Sequence, residues 1–261
     1  MNIMNKILVL KVGTNTLVHK NGSETFNQQI FLELANQIKQ MRAQGYEVVL
    51  VSSGAITAGM MHTNTPIRPE QMIERQRLAG IGWPIVATKW SESLSGVTVF
   101  STLLTRRELG SGQPTRQEAL DVINVSLQNH DVVLVNENDV ITHEEIEFGD
   151  NDTLAAVLAA QLKVANPKCE VTLMLLSDIN GLRADKDDPA TVIRTVERLE
   201  DVSLFAKGSR SPLARGGMIT KLRAAQIAAE GGVLMYVTDG SVERSIMRTL
   251  KGEIGTCFRL Q

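Results

Sequence analysis

The sequence predicts an α/β fold with a mostly parallel sheet covered by helices on both faces. Three observations carry this. Short apolar runs rich in β-branched residues recur at 7–10, 48–51, 97–100, 132–135, 171–176 and 233–237. Their lack of alternation suits strands buried on both faces. Between them lie longer segments of helical period, and strand–helix alternation of this kind builds a parallel sheet. Most of the runs end in a polar cluster, which is where ligands bind in such sheets.

The helical segments can be read one by one. Phe26, Ile30, Leu34, Ile38 and Met41 share one helical face, and Gly45 is a fitting C-cap. A helix 55–61 should open at Ser53-Gly54-Ala55. Ala155, Leu158, Ala159 and Leu162 mark a helix 153–162, and Met218, Leu222 and Ala225 a helix 218–230. The stretch 177–212, dense in Asp, Gly, Ser and Pro, reads as surface structure over a site, because the periodic pattern resumes after it.

Bulk properties exclude several classes. The 261 residues carry a net charge of −2, so nothing asks for nucleic acid or an anionic membrane. Apolar residues make up 43 % and charged residues 21 %, as in ordinary globular proteins. No run nears the ~20 apolar residues of a spanning helix, and the N-terminal run stops at Lys11, too short for a signal peptide. Cys169 and Cys257 form no motif and suit a reducing, cytoplasmic setting. The four histidines have no ligand spacing, so no protein-held metal site is expected.

The polar clusters suit phosphate and amino-acid chemistry. They are Lys11-Val12-Gly13-Thr14-Asn15, Ser52-Ser53-Gly54-Ala55, Asn136-Glu137-Asn138-Asp139 and Ser177-Asp178-Ile179-Asn180-Gly181. Gly13 and Gly54 let backbone N–H groups approach an anion. A helix opening at Gly54 adds its dipole, though a plain cap and tight turn fit the same residues. Lys11 ends a buried strand, where a charge is costly unless paired or snorkelling to solvent. Gly149-Asp150-Asn151-Asp152 precedes a helix; one Asp would cap it, while the packed acids also suit holding cations or lysines. Gly216-Gly217-Met218-Ile219-Thr220-Lys221 opens another helix with bare N–H groups and a lysine one turn in, or is a loop followed by a surface lysine. No P-loop, no complete G-x-G-x-x-G, no protein-kinase catalytic loop and no H-E-x-x-H occur.

Together these residues resemble the amino-acid kinase family over nearly the whole chain, from Lys11 to Cys257-Phe258. Lys11-Val12-Gly13-Thr14 is similar to K-[LVI]-G-[ST], and residues 51–56 to V-[ST]-S-G-A-[IV]. Gly217-Met218-x-Thr220-Lys221 is similar to G-M-x-T-K. Asn136-Glu137-Asn138-Asp139 matches N-E-N-D and residues 149–155 match G-D-N-D-x-L-[AS], the pair typical of the branch that phosphorylates free glutamate.

The resemblance implies a single domain, 1–261, in a three-layer αβα sandwich with an open, mainly parallel sheet. Its N-terminal part would bind the amino acid and its C-terminal part, from about 170, the nucleotide. It implies ATP-dependent phosphorylation of the γ-carboxylate of L-glutamate, the first step of proline synthesis, with ATP and Mg²⁺. Lys11 and Lys221 would neutralise the moving phosphoryl group and Asp152 would hold both. Ser53, Gly54, Asp139, Asp150 and Asn151 would hold glutamate. Lys11, Gly13, Ser177, Asp178, Arg215, Gly216, Gly217, Met218, Thr220 and Lys221 would line the nucleotide site. A homo-oligomer, dimer or tetramer, and feedback by proline go with the family.

Three stretches depart from the pattern. Ala214-Arg215 replaces the usual Gly-Thr, Arg183 replaces a tyrosine, and Arg75-Gln76-Arg77-Leu78-Ala79-Gly80-Ile81-Gly82-Trp83 differs from the usual helix. Arg215 is expected to point to solvent and to tune ATP affinity only. Many bacterial relatives carry a further C-terminal PUA domain, expected to be missing here. The competing expectations are a kinase for N-acetylglutamate, aspartate, carbamate or a nucleoside monophosphate, and an inactive amino-acid-binding regulator.

Overall fold

The structure, a computed structural model, describes residues 5–21, 23–110, 112–142, 151–185, 187–202 and 214–260, with the backbone alone at 20, 21, 23, 24 and 214–216. The first half contains β1 (Lys6–Val12), α1 (Thr14–Leu17), the hairpin β2 (Val18–Asn21) and β3 (Ser23–Phe26), α2 (Gln28–Ala43), β4 (Tyr46–Ser52), α3 (Ala55–His62), α4 (Met72–Ser93), β5 (Val99–Leu104) and α5 (Pro114–Gln128). The second half contains β6 (Val132–Glu137), α6 (Asn151–Ala165), β7 (Glu170–Ser177), β8 (Thr195–Val196), α7 (Ala214–Glu230), β9 (Leu234–Asp239), α8 (Ser245–Leu250) and β10 (Thr256–Phe258).

One eight-stranded sheet runs in the order β5-β6-β4-β1-β7-β9-β10-β8. The ladders from β5 to β9 are all parallel; β10 turns back, antiparallel to β9, and β8 runs parallel to β10. Helices cover both faces, as the sequence predicts. Successive strand residues point to opposite faces, and the two cores follow from that alternation. Ile7 and Val9 of β1 join Leu120 and Ile123 of α5, Leu154 and Leu158 of α6, and Ala224 and Ala228 of α7. Leu8, Leu10 and Val12 join Phe31 and Leu34 of α2, Val86 and Trp90 of α4, and Ile246 of α8. Each fully buried Leu, Val or Phe side chain contributes about 1.5–3 kcal/mol, and this holds the layers together. The next residue on the first face, after Ile7 and Val9, is Lys11.

The predicted strands are all present. The run at 97–100 is displaced: its strand is β5, Val99–Leu104, on the sheet edge. Its Ser101 and Thr102 are tolerable because an edge strand is half solvated, and they hid its true extent. The helix expected from 153 already includes Asn151 and Asp152, and the one expected from 218 already includes residues 214–217. The stretch 177–212 is more than surface: β8 adds to the sheet, and Leu182, Val196 and Val202 are core residues. Residues 203–213 lie outside the described residues. Gly45, the expected C-cap, has φ +84°, which glycine adopts without strain. Among the described residues no helix is long and apolar enough to cross a membrane.

Helices α3 and α4 cross at unusually close range. A Cβ on Gly82 would stand 1.8 Å from the Ala55 carbonyl oxygen, and one on Gly59 would stand 2.0 Å from that of Leu78. These clashes are with backbone, so no side chain can rotate away. Gly82→Ala should therefore lower the unfolding free energy by about 1–3 kcal/mol, despite alanine's better helix propensity. Urea unfolding of the variant against the parent checks this, and an unchanged or raised midpoint would contradict it.

Candidate functional site

Parallel strands bring their carboxyl ends to one edge, and the polar clusters meet there. Ser53 N–H donates to the Val12 carbonyl at 3.0 Å and Gly13 N–H to the Leu176 carbonyl at 3.1 Å. The loops after β4, β1 and β7 therefore lie side by side. A cavity of about 280 Å³ opens between them, with Lys11, Gly13, Ser53, Ser177 and Asp178 on its walls. Asp152 from α6 and Gly217, Thr220 and Lys221 from α7 close it, and Thr14, Asn15 and Thr16 of α1 line it too.

At its centre Asp152 sits between two lysines. Its Oδ1 is 2.6 Å from Lys11 Nζ and its Oδ2 is 3.2 Å from Lys221 Nζ. All three are buried, with 2 % of Asp152, 8 % of Lys11 and 7 % of Lys221 exposed. Lys221 Nζ also donates to the Gly217 carbonyl at 3.3 Å. Thr220 Oγ1 lies 3.1 Å from both Asp152 Oδ2 and the Gly217 carbonyl, and its single proton serves one at a time. Burial by itself raises the carboxyl pKa of Asp152. The two ammonium groups outweigh burial and hold it at about 2, against an ordinary 3.8. The group keeps a net positive charge facing the cavity, which suits an anion.

The side expected to take the amino acid is organised by Asn151. Its Nδ2 donates to Ser53 Oγ at 3.0 Å and to Asn136 Oδ1 at 2.9 Å, and its Oδ1 accepts the Glu137 backbone N–H at 3.2 Å. Both donors of Asn151 are thus engaged within the protein. Gly54 has φ +107°, a conformation that opens α3 sharply after β4. Behind it, the buried Trp90 Nε1 donates to Ser52 Oγ at 2.8 Å, fixing the loop from the α4 side. Asp139 stands in the half-buried loop after β6 rather than on the cavity wall.

The residues expected on the nucleotide side are placed differently from one another. Ser177 and Asp178 line the cavity, with Asp178 Oδ2 accepting from Asn15 Nδ2 at 2.8 Å and Oδ1 from Ser177 Oγ at 3.3 Å. Gly217, Thr220 and Lys221 line it from α7. Met218 does not: it packs against the hydrophobic core. Arg215 and Gly216 lie in the first turn of α7, their side chains outside the described residues, and Asp150 lies outside them altogether. The sequence reading missed Asn15, Thr14 and Thr16 as cavity residues and Asn136 as a partner of Asn151. The signal was available for three of the four: Thr14, Asn15 and Asn136 sit inside clusters already singled out, and Thr16 directly follows one.

Asp152 also links stability to pH. Its folded pKa lies below the ordinary value, so its stabilising contribution is present above about pH 4 and is lost as pH falls toward 2. Asp152→Asn leaves two buried ammonium groups without their counter-charge and should cost about 3–5 kcal/mol. Urea unfolding from pH 7 down to 2 should find a less stable variant whose acid limb is flatter than the parent's. Equal stability at pH 7 would contradict this.

Comparison with known proteins agrees with the geometry. Residues 6–239 match the amino acid kinase family. The chain is similar to glutamate 5-kinase of Clostridium acetobutylicum, at 37 % identity over 96 % of this chain and 93 % of that protein. It is also similar to glutamate 5-kinase of Shewanella amazonensis, at 39 % identity over 96 % of this chain and 66 % of that longer protein. In fold it resembles carbamate kinase from Giardia lamblia bound to AMP-PNP, with a TM-score of 0.69 and 18 % identity over 98 % of this chain and 99 % of that one. The lysine pair on one aspartate, the parallel sheet and these matches place the chain in the amino acid kinase family.

Proposed function

We propose that the chain transfers the γ-phosphoryl group of ATP to the side-chain carboxylate of L-glutamate, giving L-glutamyl 5-phosphate and ADP, the first step of proline synthesis. The observation that carries the reading is the Lys11–Asp152–Lys221 group at the meeting point of the amino-acid and nucleotide loops. The similarity to glutamate 5-kinases over 96 % of the chain supports the acceptor.

The chemistry asks little of the protein beyond placement and charge. A glutamate side chain is ionised at pH 7, so no general base is needed. One of its carboxylate oxygens attacks the γ-phosphorus as the bond to ADP breaks in line. Negative charge spreads over the phosphoryl oxygens in the transition state, where Lys11 and Lys221 would stabilise it. Asp152 would keep both ammonium groups aimed and deny them other partners. Backbone N–H groups of Arg215, Gly216 and Gly217 in α7 would meet the phosphates, aided by the helix dipole. Gly13, Ser177, Asp178 and Thr220 would complete the nucleotide side, with Met218 supporting it from the core.

Ser53, Gly54, Asp150 and Asn151 would hold the amino acid, with Asp139 opposite its ammonium group. Acidic side chains on the cavity wall are Asp152, already between two lysines, and Asp178. This donor set fits Mg²⁺ held mainly by ATP oxygens and water, with Asp178 contributing an oxygen. The ion would neutralise phosphate charge. The same reading carries a dimer or tetramer, a cytoplasmic setting and feedback by proline.

The test is ADP release with ATP and glutamate, aspartate, N-acetylglutamate or carbamate as acceptor. Turnover with glutamate alone is expected, and loss of about 10²–10³ in kcat on Lys221→Ala. Turnover only with another acceptor would sink the reading, and a folded Lys221→Ala enzyme of normal kcat would remove that residue from it.

Gly217 supplies a second prediction. Among the described residues a Cβ there would meet no atom outside its own helix within 4 Å, so nothing described demands glycine at this helical position. Gly217→Ala should leave stability equal or up to about 1 kcal/mol higher. The ATP KM should nevertheless rise, because the added methyl occupies space kept for phosphate. An unchanged ATP KM would place the phosphates elsewhere.

A further inference from the structure

The loop that carries Asp139 is held by polar ties rather than by burial. Its Val140 and Ile141 side chains are exposed, at 52 % and 55 %. The apolar side chains of the loop are only partly covered, so its shape leans on hydrogen bonds. The buried Gln76 of α4, 7 % exposed, supplies two. Its Nε2 donates to the Val140 carbonyl at 3.2 Å and to the Thr142 carbonyl at 3.4 Å. A primary amide has two N–H bonds, so both can be made together. One helical turn on, Gly80 leaves the surface of α4 bare, and Val140 Cγ2 would lie 3.6 Å from a Cβ there. On the far side, Thr142 Oγ1 sits 3.1 Å from Glu137 Oε1 and 2.9 Å from the Asn138 carbonyl. The same helix anchors the Ser52–Ser53 loop through Trp90 and the start of α3 through Gly82.

We propose that Gln76 is a positioning residue for the phosphoryl acceptor: it clamps residues 138–142 so that Asp139 faces the ammonium group of the amino acid. The proposal rests on the glutamate-kinase reading above and adds a residue to it. Gln76 acts at a distance, through backbone carbonyls, so its loss should affect binding of the amino acid and spare the nucleotide.

The test uses the full chain with Gln76→Met, which keeps an unbranched side chain of similar length and removes both donors. KM for glutamate and for ATP, and kcat, are measured for this variant, for Asp139→Ala and for the double variant. Expected is a rise of about tenfold in the glutamate KM, from two lost hydrogen bonds, with ATP KM and kcat within about twofold. In the Asp139→Ala background Gln76→Met should add no further rise, because it acts through that residue. Should Gln76→Met melt too low to assay, Gln76→Glu keeps the shape, and the same selective rise is expected at pH 8. An unchanged glutamate KM, equal rises in both KM values, or a full additional rise in the double variant would overturn the proposal. If Asp139→Ala itself leaves the glutamate KM unchanged, the assignment of Asp139 fails and this proposal with it. If Asp139→Ala raises the KM and Gln76→Met does not, only the clamp is refuted.

Discussion

Everything at the site hangs on one carboxylate holding two ammonium groups. Asp152 is 2 % exposed and meets Lys11 from β1 and Lys221 from α7. Burying three charges is expensive, and such groups are rarely the cheapest way to stabilise a fold. Apolar residues of similar size would serve the core as well. What they would not supply is net positive charge aimed into a cavity, held in place before any anion arrives. The carboxylate stays ionised although burial opposes it, because either lysine alone would be a buried charge without a partner.

The sheet determines where that charge can sit. Five parallel ladders join β5 through β9, so these six strands end on the same edge. Helices α3 and α6 begin near that edge, as does α7, whose residues close the same cavity. Their N-termini carry unpaired N–H groups and the positive end of the helix dipole. An electropositive rim is therefore a consequence of parallel topology before any lysine is added. Strand alternation then decides which face Lys11 joins. It follows Ile7 and Val9 onto the side covered by α6 and α7, and those helices bring Asp152 and Lys221.

Helix α4 complements this arrangement from the other face. Trp90 reaches Ser52, Gly82 admits the backbone of α3, and Gln76 reaches the loop after β6. None of these residues lines the cavity between the lysines. They determine how firmly the loops around it keep their shape. A loop such as 138–142, with exposed apolar side chains, depends on such hydrogen bonds, together with those of Thr142, to hold one conformation.

The sequence by itself determined the sheet, its parallel character and the clusters that gather at its edge. Uninterrupted β-branched runs can be satisfied only by burial on both faces, and that restricts the topology. The resemblance to the family marked Lys11, Asp152 and Lys221; the residues taken alone left a snorkelling lysine, a helix cap and a surface lysine equally open. Tertiary structure alone decided the rest. The hairpin β2–β3 has no apolar alternation to announce it, and β8 is two residues long. Asn136 was legible as part of a motif but not as the acceptor for Asn151. Gln76 stood in a stretch noted only for departing from the family pattern, with no role given to it, until α4 was seen beside the loop at 138–142. Periodicity reports which face of an element is buried. It carries no information on which distant backbone a buried polar group will meet, and that is fixed only when the layers pack.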